Sequence, residues 1–416
     1  MSTMDTFILV LTALGFISIV LEDLTHINKA KTTLFFGSLV WLLYYIEHAT
    51  TAGEVDVKLN ENLLEIASLW LFLMSAMTFV AYLNNRGFIA NLVMRLLPAQ
   101  LSIRTLLFIT ANFAFVFSSL ADNVTTTLVC ISLLLPLNLD NKDLLRFMAV
   151  IVFGVNSGGV SLITGDVTTL MVFLAGKVTI GNLLMLIAPA YAALMILTFF
   201  MSKRMSGDLV IEKNQQPILM VDWVAGGQFL ITILSILALN VLFHVPPLLT
   251  FLVSLGLLFL IMQFLNKDED VMRNIRLIEF DTLLFFLGVL LMVGMLKELK
   301  VLDLLSGMYT HLPIPVANYA LGVFSSLVDN VPLTAAVLHS GMEMPLSDWI
   351  SLVYAVGVGG SLLVIGSAAG IIAMSKVEGL TFASYARYFK YLLVAYTIGF
   401  ALAWGLGQLV HGVTGA

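Results

Sequence analysis

The chain reads as long apolar runs separated by short polar connectors. Most of these runs reach the roughly 17–25 residues that a membrane-spanning helix needs. Uninterrupted runs at 5–22, 31–46, 62–83, 179–202, 223–243, 246–265, 280–297 and 383–410 each predict one helix. The run at 31–46 is short for a span and is expected to extend into its flanks. Four further stretches are broken from within. In 102–138 and 315–341 the interruption is a phrase that occurs twice, SSLADNV at 118–124 and SSLVDNV at 325–331. In 146–176 the breaks are NSGG (156–159) and TGD (164–166), and in 349–377 they are GVGG (357–360) and GSAAG (366–370).

The duplicated phrase sets an Asp-Asn pair in the middle of apolar sequence, where a carboxylate costs at least a few kcal/mol. Having that twice, in matching positions, predicts a binding site built across an internal repeat. Each arm flanking Asp329 is about 11 residues long and spans roughly 16 Å, half of a ~30 Å hydrocarbon core. Such an arm predicts half of a re-entrant hairpin with Asp-Asn at its tip, and symmetry carries the reading to 102–138. The Gly-broken stretches predict discontinuous helices, because non-helical backbone at membrane depth must be buried in protein or line a cavity.

Three correspondences run in order through the halves. Residues 69–83 match 283–297, then come the two Asp-Asn phrases, then the two broken helices. Five spans and one hairpin per half make the halves oppositely oriented. The predicted fold is an all-α polytopic membrane protein with an inverted repeat. The first repeat is 1–202 (scaffold 1–97, transport part 101–202) and the second is 223–416 (scaffold 223–310, transport part 315–416). A cytoplasmic linker, 203–222, joins them. Inverted repeats with broken helices hold their sites where the repeats meet, near the midplane.

Charge tests this topology. Of 20 Lys and Arg, only Lys58, Lys177, Lys297 and Lys300 fall on one side, and the other sixteen share the opposite side. The basic side is expected to be cytoplasmic, which puts both termini outside. Composition agrees: 60% of 416 residues are hydrophobic and 11% charged, against roughly 25% charged in soluble domains. The lone Cys130 excludes an intrachain disulfide. There is no phosphate-binding Gly loop, zinc spacing or nucleophile with its base, so no enzyme, cofactor or nucleic-acid partner is expected.

Hairpin tips, broken helices and inverted duplication resemble the ion transporter superfamily, which includes divalent anion/sodium symporters and arsenite permeases. The paired S-S-L-x-D-N-V phrases resemble its NhaD-type sodium/proton antiporters. That resemblance implies Na⁺ (and Li⁺) export in exchange for H⁺ across a bacterial-type inner membrane. It also implies an elevator-like movement and a homodimer formed through the scaffold. A sodium-coupled dicarboxylate transporter or an arsenite transporter of the same superfamily is the alternative. Those anion carriers have Ser-Asn-Thr at the tips, whereas here an Asp stands beside each Asn and would repel a dicarboxylate.

Asp122 and Asp329 are therefore expected to meet near the midplane and to bind cation and proton in turn, with Asn123 and Asn330 as neutral ligands. Thr125, Thr126 and Thr127 add hydroxyls at the first tip, where the second has Pro332, Leu333 and Thr334 and keeps only the last, so the first is expected to coordinate more tightly. Ser118, Ser119, Ser325 and Ser326 are expected to satisfy freed backbone groups. Asp166 has two readings, a third ligand or proton relay, and a helix N-cap, for which Asp is favoured. Ser367 is its counterpart at the second break; Asn156, Ser157 and Thr164 are weaker candidates. His339, Glu65, Asp222 and Asp281 are expected to face the membrane interface.

Overall fold

The first apolar run folds as α1 (Thr3–Val20), opened by a capping box between Ser2 and Asp5. The one-turn α2 (Glu22–Thr25) leads into α3 (Lys29–Glu47), which gains residues at both ends of the short 31–46 run. The computed structural model that reveals this describes residues 2–414, except 26, 50–51, 138, 211–216, 266–274, 277 and 303–308. The linker 203–222 and the scaffold segment 223–310 are thus described only in part, and Lys213, Lys267 and Arg273 lie outside the described residues.

Next comes α4 (Ala52–Asn85), 34 residues long, which starts well before the expected 62–83. Gly87, at φ 63, turns the chain into α5 (Phe88–Leu96). Strand β1 (Gln100–Ser102) precedes α6 (Ile103–Leu120), α7 (Asn123–Leu134), α8 (Asn141–Gly159), α9 (Val167–Leu174), α10 (Ile180–Met185) and α11 (Ile187–Ser202). Strand β2 (Asp208–Val210) then pairs antiparallel with β1, Leu101 facing Leu209. The described chain is otherwise helical, as expected of an all-α polytopic membrane protein, and this short ribbon ties the start of α6 to the chain leaving α11.

The second half holds α12 (Met220–Phe243), α13 (Pro247–Leu265), α14 (Phe280–Glu298), α15 (Ile314–Phe324), α16 (Asn330–His339), α17 (Leu346–Gly359), α18 (Ala368–Lys376), α19 (Phe382–Ala386) and α20 (Phe389–Thr414). His244, left-handed at φ 55, stops α12, and Pro247 opens α13, where a missing N–H does no harm. Among the described residues, seven helical segments are long and apolar enough to cross a membrane. The helices next to the Asp-Asn phrases differ in length: α6 is one of the seven, while α15 has 11 residues.

One packing order occurs in both halves. The helix before each Asp-Asn phrase packs on the first part of a broken helix, α6 on α8 and α15 on α17. Ser118 Oγ donates to Val155 O at 2.7 Å, and Ser325 Oγ to Val356 O at 2.9 Å, as expected of hydroxyls at a break. Gly158 and Gly359 let these pairs touch: a Cβ on either would be driven into a carbonyl oxygen, of Phe115 and of Gly322 respectively. The two halves also interlock, α7 against α18 and α16 against α9.

The broken segments 160–166 and 360–367 are almost wholly buried, so their backbone groups need partners. Ser161 N bonds Gly158 O at 3.1 Å, Ser361 N bonds Val358 O at 3.0 Å, and the buried Tyr385 hydroxyl donates to Ser361 O at 2.7 Å. Beside them, α3 and α14 cross at Gly37 and Gly288, where small residues bring backbones together. The Trp41 and Trp70 indoles donate to Leu291 O and Leu283 O of α14, at 2.9 and 2.8 Å. That crossing fixes one wall of the cavity described next.

Candidate ion-binding site

Four helices begin at one place. Asp122 caps α7, its Oδ1 accepting from Thr125 N (2.7 Å) and its Oδ2 from Thr125 Oγ1 (2.8 Å). Asp166 caps α9 through Thr168 N (2.9 Å), Asp329 caps α16 through Val331 N (3.1 Å), and Ser367 caps α18 through Gly370 N (3.3 Å). All four line one cavity of about 320 Å³, together with Asn123, Asn156, Thr164 and Asn330. The Asp-Asn phrases break helices because Asp favours the cap over the helix interior, where its side chain competes for backbone N–H groups.

Asp166 lies at the centre of this set. Its Oδ1 makes the cap, and its Oδ2 accepts from Asn123 Nδ2 at 3.2 Å and Asn330 Nδ2 at 3.5 Å. The cap expected of this residue is thus made by one oxygen, while the other faces the cavity and holds an amide from each half. A second strand of the network runs from Asn123 Nδ2 to Asn156 Oδ1 (3.4 Å), and from Asn156 Nδ2 to Ser367 Oγ (3.1 Å). Both strands cross between the halves. Asn123 Oδ1 lies 2.6 Å from Ser118 Oγ, whose one proton it shares with Val155 O, and the bare Gly159 leaves room for it.

The remaining residues picked out from the sequence are placed differently. Thr126 and Thr127 are fully buried, and their hydroxyls donate back along α7 to Asp122 O (2.8 Å) and Asn123 O (2.7 Å). They do not line the cavity; threonine inside a helix commonly bonds the carbonyl four residues back. Thr125, one residue earlier, is the hydroxyl that reaches a carboxylate. Thr164 Oγ1 donates to Ser119 O at 2.7 Å and fastens the break of α8–α9 to the end of α6. Ser157 Oγ is buried without a hydrogen-bond partner and is not among the cavity-lining residues.

Two groups assigned to the membrane interface turn inward instead: Asp222 is buried and paired with Arg86 Nε at 2.7 Å, and His339 is mostly buried with its Nε2 3.6 Å from Glu65. Asp281 stays exposed, where it borders the cavity and accepts from Asn28 Nδ2 at 2.7 Å. Lys29, Glu22 and Glu279 also line it. Lys29 is one of the sixteen basic residues on the side expected to be cytoplasmic, and its Nζ is 3.2 Å from Asp329 Oδ2. No signal in the chain ties it to a residue 300 positions away.

Glu279 stands just before α14. Burial pushes its carboxyl up to about 7; the charges of Asp122 and Asp281 add to this, and the Thr282 hydroxyl at 3.2 Å works against it. The ordinary value is 4.5, so the folded protein keeps this proton where the unfolded chain has lost it. Stability should then fall as pH rises from 4.5 to about 7. Glu279→Gln should melt above wild type in detergent beyond pH 7 and level with it at acid pH. Parallel melting curves across the whole range would refute the assignment.

The family model described as "Citrate transporter" (CitMHS) matches residues 7–359. The "Na(+)/H(+) antiporter NhaD" of Vibrio cholerae is 32% identical over 443 aligned positions, covering 96% of this chain and 91% of its own length. The chain belongs to the NhaD family of transporters. The NhaD antiporter of Alkalimonas amylolytica is 31% identical, over 94% of this chain and 88% of its own. "Sodium/proton antiporter 1" of Arabidopsis thaliana is 26% identical, over 97% of this chain and 75% of its own. As an NhaD-type chain with seven candidate spans, this is a multi-pass plasma-membrane transporter rather than an enzyme. The Asp-Asn phrases that carry the NhaD resemblance are the ones that cap α7 and α16.

Proposed function

We propose that this chain exchanges cytoplasmic Na⁺ (and Li⁺) for external H⁺, with Asp122, Asp166 and Asp329 taking cation and proton in turn. The charge of the cavity carries this reading. Its described lining holds six carboxylates, of Glu22, Asp122, Asp166, Glu279, Asp281 and Asp329, and one ammonium, of Lys29. Such a lining attracts a hard cation and, when the cation leaves, a proton. Asn123 and Asn330 offer amide oxygens to complete an oxygen shell of the kind hard cations take.

The family model's description raises the rival, a citrate carrier. Helix N-termini are ready-made anion sites, and four converge here. Three of them, however, are already capped by the chain's own carboxylates, Asp122, Asp166 and Asp329. A tricarboxylate would meet negative charge where it needs N–H groups. This disfavours citrate and supports the cation.

The recurrence of one packing order supports an inverted repeat with re-entrant hairpins at α6–α7 and α15–α16. In this reading the transport part (101–202 and 315–416) moves as an elevator against a scaffold (1–97 and 223–310). By resemblance the scaffold also forms a homodimer, and both termini lie outside. The decisive experiment uses everted vesicles. Na⁺ and Li⁺ should dissipate a preformed ΔpH, and labelled citrate should not accumulate under a Na⁺ gradient. Citrate uptake without cation-evoked ΔpH loss would replace this reading with the anion carrier.

A further inference from the structure

Lys29 carries the one ammonium among the described residues that line the cavity. Its Nζ sits 3.2 Å from Asp329 Oδ2 and 4.4 Å over the Phe285 ring, while its backbone N–H donates to Glu22 Oε1 at 3.1 Å. The base of the side chain is anchored at the start of α3, and its head is steered by an aromatic face. With side-chain exposures of 18% and 12%, Lys29 and Asp329 form an ion pair largely removed from solvent. Val331 N takes the other Asp329 oxygen, so each oxygen has a partner. Asp122 differs: the donors found on its two oxygens both come from Thr125, in the first turn of its own helix.

The pair also joins the two parts that the elevator reading separates. Lys29 belongs to the scaffold segment, and Asp329 to the break that would travel. We propose that the Lys29 ammonium is a tethered stand-in for the transported cation at Asp329. It occupies that carboxylate in the absence of Na⁺, and it competes with Na⁺ for it. The inference rests on the Na⁺-exchange reading and extends it. Two monovalent cations on one carboxylate oxygen repel each other across a few ångströms in a site largely shielded from water, so each weakens the other's hold. Ion occupancy and the scaffold contact then compete: the transport part is latched through Lys29 without Na⁺ and released with it. The second half-site is thereby a weaker one than the first, since each Na⁺ bound at Asp329 has to displace a local competitor.

The test uses purified protein in proteoliposomes, following Na⁺-evoked loss of ΔpH. Lys29→Gln should lower the Na⁺ concentration for half-maximal exchange by about fivefold, the worth of a modest ion pair. Lys29→Arg, which keeps the charge and offers the carboxylate a second N–H, should not lower it. A residue that only supports the fold would lose activity or raise that concentration when changed, not lower it. An unchanged or raised value in Lys29→Gln, beside an active wild type, overturns the proposal. If Lys29→Gln does not accumulate as folded protein, the wild type decides. Labelling of Lys29 by an amine-reactive reagent, read by mass spectrometry, should rise several-fold in saturating Na⁺ relative to choline. Labelling indifferent to Na⁺ overturns the proposal as well. A wild type that does not exchange at all would remove the antiport reading instead, and the labelling would still show whether Na⁺ displaces Lys29.

Discussion

An Asp166→Ser protein should insert, fold and fail to exchange. Serine is the residue that caps the second break, at Ser367, so the start of α9 keeps an acceptor for its N–H groups. What disappears is the oxygen that receives Asn123 and Asn330 at 3.2 and 3.5 Å. Hydrogen bonds to a charged acceptor contribute about 1.5–3 kcal/mol each, so losing two, about 3–6 kcal/mol, implies a drop of roughly 100-fold or more. Asp166→Asn should fail as well, because its amide either turns an NH₂ toward those of Asn123 and Asn330 or gives up the cap. Asp122→Asn and Asp329→Asn should abolish exchange if, as proposed, each carboxylate takes cation and proton in turn. Size-exclusion chromatography in detergent would establish folding, and ΔpH dissipation by Na⁺ would establish function. Full exchange by Asp166→Ser would reduce the residue to a helix cap.

Gly158→Ala should be lost before function can be measured. A methyl group there would enter the space of the Phe115 carbonyl oxygen, and that atom belongs to helix backbone that cannot rotate away. Overpacking against backbone destabilises by roughly 3 kcal/mol or more, a large part of a typical domain's margin. Gly359→Ala should behave alike, because the Gly322 carbonyl stands in the same relation to it. Gly256→Ala is the control: it lies in α13 with nothing within 4 Å of the added carbon. Yield and monodispersity should be normal for Gly256→Ala and collapse for Gly158→Ala. Equal behaviour of the two would show that α6 and α8 do not need their close contact.

Much of this arrangement could be read from the chain because broken apolar runs carry polar punctuation. SSLADNV and SSLVDNV marked two helix starts, and NSGG-TGD and GVGG-GSAAG marked two more. Local rules suffice for that: Asp and Ser prefer caps, and small residues permit close backbone contact. The partners of those caps were hidden, since they come from distant elements. Lys29 was read for its side of the membrane, which says nothing of its reach toward Asp329. Asp222 stands at a span end and reads as interfacial, but Arg86 draws it into the protein, whereas Asp281 stays exposed beside the cavity. Thr126 and Thr127 were misjudged for another reason. Position next to a tip was taken for direction, yet within a helix their hydroxyls turn back to the preceding carbonyls.

The four helix starts also set the charge the cavity can accept. Each helix N-terminus carries roughly half a positive charge, so four of them bring about two. Asp122, Asp166 and Asp329, when ionised, set three negative charges against that. With Lys29 in place on Asp329 the centre comes close to neutral. Once the ammonium withdraws, about one negative charge is left over. Glu22 and Asp281, on the same lining, add to that deficit. A cation or a proton offsets it and a citrate deepens it, so the sign of the favoured cargo is a property of how many helices begin there and how many of them an aspartate caps.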